Sequence, residues 1–389
     1  MVVGTCLIAG TYGLVRLAYG LVLPDIQATL SMSSAVAGYV SSGASAAYCL
    51  GALGGLLAAG RPRLLVAAAL ATASVGSVGM AVSPGQALFV PSAVLASAGA
   101  GFASPALVAV VGRNLPAARV ARAQATVNAG TGPGLVAAGL LALALPDWRA
   151  GFAVAAAFTA AAGLGVLLLD HSGATPAHPV RADPFDRRWL ALLRRPLAGA
   201  FLLGAASAAV WTYGRAHLVS SGASDSASVL AWIALGVGGT ATVLTARRQT
   251  ALPAPGAWLL ATVVTAGATA ALVAPGQVWV SVLACGVFGW GFVAATSALI
   301  AWTAQLEPRR TAAGASVAFI ALVLGQAVGS SAAGALAERA GMSTTFGLAV
   351  VLTLLAAFVG AGGRTEVERT PRGASPVSGG AGGGAGVRP

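Results

Sequence analysis

Uninterrupted apolar runs fill nearly all of this sequence, and very little charge breaks them. Only 8% of the residues are charged and 57% are hydrophobic, whereas a soluble domain carries about 25% charged residues. So few polar groups cannot cover a surface that faces water. The solvent left for that much apolar side chain is lipid. Strands of a membrane barrel would alternate polar and apolar residues over about ten positions. Runs rich in Ala, Leu and Val do not alternate, so the expected fold class is all-α integral membrane.

A helical span needs roughly 20 mainly apolar residues, and 389 residues accommodate twelve with short connections. Breaks at Pro, Gly, Arg and Asp clusters put the first six spans near 2–23, 35–59, 64–82, 87–112, 122–145 and 150–169. The second six fall near 197–218, 227–246, 257–274, 278–303, 313–337 and 343–362. The expected organisation is an N-terminal bundle (1–169), a polar linker (170–196), a C-terminal bundle (197–362) and a disordered Gly-rich tail (363–389). The opening MVVGTCLIAGTYGLVRLAYG has no basic leader and holds Arg16 within its apolar stretch. It reads as a first span rather than a signal peptide.

All 22 basic residues are Arg, and the formal charge is +12. No aromatic-basic patch accompanies them, so no nucleic-acid partner is expected. Their positions instead give an orientation. Eighteen arginines fall in the loops and tail on one side of the twelve-span arrangement, and two, Arg149 and Arg339, on the other. Basic loops stay inside, so both termini and the linker are expected in the cytoplasm of a cell with its inner membrane as host. Cys6, Cys49 and Cys285 stand singly in apolar runs, a pattern for packing and not for metal or redox chemistry. No metal site or cofactor is expected.

The second half echoes the first. Thr11-Tyr12-Gly13 recurs as Thr212-Tyr213-Gly214, each followed closely by an intramembrane arginine, Arg16 or Arg215. GGLLAAGRPR after span two parallels GGTATVLTARR after span eight, and NLPAARVARAQA parallels QLEPRRTAAGA. Three matches in one order point to a 6 + 6 duplication.

With these features the chain resembles the major facilitator superfamily (MFS) along nearly its whole length. Gly60-Arg61-Pro62-Arg63 is similar to the family's motif between spans two and three, without its acidic residue. Gly130-Thr131-Gly132-Pro133-Gly134 in span five resembles the Gly-Pro motif of antiporters. Gly99-Ala100-Gly101 matches a glycine pair of span four, with Leu95 where an arginine is usual. Residues Tyr12 to Ile26 and the WTYGRAHL stretch resemble the YbfB/YjiJ-type subgroup. The resemblance implies two pseudo-symmetric six-helix bundles that rock about a midplane site. Gly60, Arg61, Arg63, Gly132, Pro133 and Gly134 would then serve the rocking, though Pro133 could equally mark a static kink.

Charge inside the spans selects the site candidates. An intramembrane arginine needs a cavity, a partner or an interface. Arg16 lies about 21 Å along its helix at 1.5 Å per residue, past the midplane. Tyr12, Arg16 and Tyr19 are spaced i, i+4, i+7 and so share one helical face, where two tyrosines can stack on the guanidinium and offer hydroxyls to a ligand. Arg215, with Trp211, Tyr213 and His217, either binds substrate or anchors at the headgroups. No Asp or Glu lies deep in a span, which leaves Asp25 and His217 as protonation candidates, Asp25 otherwise reading as a loop residue after Pro24. Tyr39, Ser42, Ser104, Asn128, Trp290 and Gln326 are further polar or aromatic groups on spans that the resemblance assigns to the cavity.

The expected function is secondary transport of a small organic solute, anionic or amphipathic, by alternating access, with proton-coupled export favoured by the Gly-Pro motif. An intramembrane enzyme would need clustered catalytic groups, and no Ser-His-Asp set, HExxH or carboxylate pair lies within a span. A receptor or scaffold that kept the fold remains the alternative.

Overall fold

The computed structural model describes residues 1–58, 60–145, 147–170 and 187–361, and these are almost wholly helical. Helix α1 is Val2–Leu30, α2 Ser34–Leu57, α3 Pro62–Ala81 and α4 Gln86–Asn114. Helix α5 comes in two pieces, Ala117–Asn128 and Thr131–Ala144, and α6 is Trp148–Leu169. Helices α7 to α10 are Arg187–Ser220, Asp225–Thr250, Ala254–Ala271 and Val278–Leu306. The last stretch, Thr311–Ala361, is broken at Gly341 (φ 85°, ψ 165°), a conformation open to glycine because it lacks Cβ. We call its parts α11 (311–340) and α12 (342–361). Ten stretches among the described residues are long and apolar enough to cross a membrane, with α2 not among them and α11 and α12 taken together. The molecule is a multi-pass, all-helical membrane protein.

Local signals set the helix starts. Ser33, Asp147 and Ser224 accept from backbone N–H groups of Val36, Arg149 and Ala227, which satisfies donors that a helix leaves unpaired. Pro62 opens α3, where its missing N–H costs nothing. The outward surface is apolar, with Leu53, Val75, Val154, Phe158, Leu260 and Phe358 all exposed. That is the surface of a protein solvated by lipid.

Three sequence expectations change. Helix α1 does not stop before Pro24 but continues to Leu30. Proline there forfeits one backbone bond, while Ile26 and Leu30 enter the core, and their burial outweighs the loss. Asp25 is therefore helical, not a loop residue. Helix α7 begins at Arg187, inside the expected linker, because Trp189 and Leu193 are buried and the Arg310 guanidinium covers the Trp189 ring at 5.6 Å. Asp170, read as the first linker residue, is docked: Arg113 pairs with both its oxygens, Asn114 donates to Oδ1 at 2.8 Å, and Arg63 lies within 3.8 Å. The remaining linker, 171–186, and the tail from 362 lie outside the described residues.

Helices α1 to α6 pack among themselves, chiefly α3 on α4 and α6 and α2 on α4. Helices α7 to α12 do likewise, with α8 and α9 on α10 and the Thr311–Ala361 stretch on α7 and α9. The principal pairings between the two groups are α2 with α11, α5 with α8, and α1 with α7. These crossings are close. A Cβ on Gly20 would run into the backbone carbonyl of Trp211, so only glycine fits there, and one on Gly132 would press on the Thr240 hydroxyl.

Candidate functional site

The residues around Arg16 come from both groups of helices. Its helix widens into π geometry over Ala9–Leu17, and i→i+5 pairing moves residues seven apart off a common face. Tyr12 and Arg16 both meet Tyr48, while Tyr19 lines the cleft beside Arg16 from another direction. The Arg16 guanidinium lies over the Tyr48 ring of α2, 4.7 Å from its centroid. Tyr12 reaches past it, bonding the Tyr48 hydroxyl at 3.0 Å and Ser104 Oγ at 2.8 Å. The Tyr19 hydroxyl points away from Arg16 and donates to Ala37 O at 3.1 Å, with the side chain still lining the cleft. The expected stacking of Arg16 on Tyr12 and Tyr19 is replaced by stacking on Tyr48, with Tyr12 bracing the platform.

Arg16 Nη2 donates to Gln326 Oε1 of α11 at 3.1 Å and to Ser45 Oγ of α2 at 3.4 Å. Both are neutral, and among the described residues no carboxylate forms an ion pair with Arg16. The cleft beside it is narrow, with room for about 40 Å³ in this conformation, between α1, α2, α3, α4, α7 and α11. Ser41, Thr212 and Ser330 meet in its wall, with oxygens 2.9, 2.9 and 3.4 Å apart. Trp211 closes another side, its ring held edge-on by Trp232, Phe288 and Phe292 at 5.4 to 6.1 Å.

Arg16 is thus a charged residue with only neutral partners among the described residues, set between two groups of helices. A family model, Major Facilitator Superfamily, matches residues 5–301. The chain belongs to the major facilitator superfamily. It is accordingly a membrane transporter and not an enzyme. Solved structures of the superfamily's fold superpose along its length. A point mutant of the nucleoside transporter NupG has a TM-score of 0.77 at 14% identity, covering 93% of this chain and 98% of its own. A bacterial homolog of the human lysosomal transporter Spinster, in an inward-facing, unoccupied conformation, gives 0.74 at 16% identity, covering 94% and 96%. A D-xylose–proton symporter gives 0.72 at 14% identity, covering 92% and 96%. No curated protein matches.

On this MFS scaffold the second arginine has a different setting. Arg215 is 4% exposed and donates to Asp25 Oδ2 and Leu21 O of α1, to Ser228 Oγ at 3.0 Å and to Asp225 Oδ1 at 3.4 Å of α8. It is neither in the Arg16 cleft nor at a free helix end. It walls a second, wider cavity of about 500 Å³ between α1, α5, α6, α7 and α8. The chemistry favours the narrower cleft: the wider one has a cation already met by two carboxylates.

The other sequence candidates scatter. Tyr213 is fully buried and donates to Ser34 O at 2.8 Å. His217 Nε2 meets Leu272 O at 3.0 Å, and its ring packs on Phe346. Trp290 donates to Thr245 at 2.9 Å. Tyr39 and Asn128 are exposed, the Asn128 side chain accepting only from Gln124 among the described residues. None of these lines the cleft. In the loop motif, Gly60 and Arg61 are exposed and Arg63 reaches Asp170. In the span-five motif, the helix breaks at Ala129–Gly130, just ahead of Gly132, and Pro133 is the third residue of the second piece. Tyr48, Ser41, Thr212 and Ser330 escaped the sequence reading; Ser and Thr are too common in such helices to stand out.

Proposed function

We propose that this transporter carries a small organic anion through the Arg16 cleft by alternating access of two six-helix bundles. The observation that carries the reading is the guanidinium of Arg16, placed between the bundles with neutral partners alone. In a low-dielectric setting an unpaired cation is costly, and an anionic solute relieves that cost. The planar fork of Arg matches a carboxylate or phosphate, and Tyr48 keeps its face fixed.

In this reading the bundles are α1–α6 and α7–α12, twelve spans in all, in a cytoplasmic membrane with both termini and the loop near Asp170 in the cytoplasm. The arginine distribution supports that orientation. Reporter fusions at Ala177 and after Gly373 should then be active only in cytoplasmic form. Export in exchange for protons is the mode we assign. The Gly132-Pro133-Gly134 likeness to antiporters supports it, as does Asp25, a half-exposed carboxylate that joins the two groups of helices through Arg215. The likeness of residues 12–26 to the YbfB/YjiJ-type subgroup belongs to the same reading.

The test is counterflow in proteoliposomes. Purified protein should exchange a radiolabelled organic anion, and Arg16→Ala should abolish exchange while the melting temperature in detergent holds. Equal exchange by Arg16→Ala would leave the aromatic wall around Trp211, and an uncharged amphipathic solute, as the reading to pursue.

A further inference from the structure

Resting on the reading of Arg16 as an anion ligand, we infer that the solute is a small polyhydroxylated acid, of the sugar-acid or hydroxycarboxylate class. Hydroxyls in these helices ordinarily bond to their own backbone one turn back. Thr72, Thr262, Thr265, Thr269 and Thr353 all do so, as is usual for Ser and Thr in helices. Ser41, Thr212 and Ser330 do not: among the described residues each bonds only to the other two. Three side chains from α2, α7 and α11 thus present a ring of hydroxyls with no backbone anchor. A fourth, Ser97 of α4, is 3% exposed, lines the same cleft and has no hydrogen-bond partner among the described residues.

Each of these groups both donates and accepts. A ligand entering the cleft can exchange the bonds that the ring makes with itself, which no backbone group anchors, and meet Ser97, which has none among the described residues. Ligand hydroxyls do this one for one. An alkyl or aromatic anion would satisfy Arg16 but leave Ser97 unmet and gain nothing from the ring, and a site rich in hydroxyls disfavours a ligand that lacks them. A neutral polyol has the opposite defect, since it leaves the guanidinium unmet. Trp211 and Met80 supply an apolar wall suited to the C–H face of such a chain. The conjunction of one cation, four loosely held hydroxyls and a narrow cleft defines the class.

Three six-carbon probes separate the terms: gluconate (acid with hydroxyls), hexanoate (acid alone) and sorbitol (hydroxyls alone). Binding to the full-length protein is read by thermal shift and by calorimetry. Gluconate should bind at least tenfold more tightly than either of the others. Ser97→Ala should leave the melting temperature of the free protein unchanged, weaken gluconate severalfold and leave hexanoate alone. Thr212→Val combined with Ser330→Ala should bring gluconate down to hexanoate. If hexanoate equals gluconate and Arg16→Ala loses both, the anion site stands and the hydroxyl class is wrong. If sorbitol equals gluconate and Arg16→Ala changes neither, the anion reading itself is wrong. Failure of all three probes to bind would also overturn the class.

Discussion

Arg215 of α7 reaches across the boundary between the two helix groups to Asp25 of α1. The two residues are 190 positions apart, and the same guanidinium holds Leu21 O on α1 and Asp225 on α8. The neighbouring contacts from Tyr213 to Ser34 O and from Ala35 N to Glu338 also join the groups near this end of the bundle. These are the bonds that an opening at this end must break.

The two members of that pair should differ in their effects. Arg215 is 4% exposed at its side chain and Asp25 43%. Removing the buried cation, as in Arg215→Gln, strands polar groups of three helices and should cost about 3 kcal/mol. Asp25→Asn removes a half-wet partner and leaves Arg215 three others, so about 1 kcal/mol is expected. The same variant tests coupling: it should keep solute exchange but lose response to an imposed proton gradient. Gradient-driven transport by Asp25→Asn at the normal rate would remove Asp25 from the coupling scheme. Melting in detergent and flux in the same proteoliposome preparation measure both effects.

Asp170 makes a second, purely stabilising prediction. Its side chain is 1% exposed and is met by Arg113, Asn114 and, more distantly, Arg63. Asp170→Ala removes a buried carboxylate and leaves the partly exposed Arg113 without its anion, which should lower stability by about 2 kcal/mol. Arg63, itself 48% exposed, should cost under about 1 kcal/mol when changed to Ala. Thermal melts of the two variants check the ranking, and equal losses would contradict it.

The α5–α8 crossing offers a third. Pro133 lies in the first turn of its helix piece, where an N–H would have no intrahelical acceptor anyway. Pro133→Ala should therefore leave expression and melting nearly unchanged while slowing transport severalfold, because it frees the backbone beside the break at Ala129–Gly130. Gly132→Ala puts a methyl against Thr240 Oγ1 and should impair both folding and flux. Normal flux with lowered stability in Pro133→Ala would make the kink static.

Much of the fold was legible because lipid imposes a simple rule on sequence. Continuous apolar runs give helices, and breaks at Gly, Pro and Arg give their ends to within a turn for most of them. The exceptions came from packing that no local pattern records. Pro24 looks like a terminator, yet burial of Ile26 and Leu30 carries α1 past it. Arg187–Pro196 looks like linker, yet Trp189 and Leu193 pull it into the bundle. In the site, Arg16 and Gln326 were visible as lone polar groups in apolar surroundings. Tyr48, Ser41, Thr212 and Ser330 were not, since their roles exist only where α2, α7 and α11 meet. Arg215 and Arg16 look alike in sequence, each following a Thr-Tyr-Gly. Only the fold distinguishes the arginine with carboxylates around it from the one without.

The difference between those two arginines gives the sharpest prediction. Arg16 is held by one nitrogen and a face: Nη2 toward Gln326 and Ser45, and the guanidinium plane over Tyr48. Arg16→Lys keeps the charge but replaces a planar, five-donor group with a compact ammonium that stacks less well on a ring. If Arg16 recognises a carboxylate through two parallel bonds, Lys should weaken anion binding about 10- to 100-fold, since each 1.4 kcal/mol is tenfold. Tyr48→Leu should weaken it less, about threefold to tenfold, by unfixing the guanidinium and leaving Tyr12 with Ser104 alone. Tyr48→Phe keeps the ring and should retain most of the affinity. Calorimetric titration of the purified variants with the transported anion orders them. A lysine variant that binds as tightly as the parent would mean that Arg16 acts as a point charge, and the geometry of Tyr48 and Gln326 around it would then serve packing and not recognition.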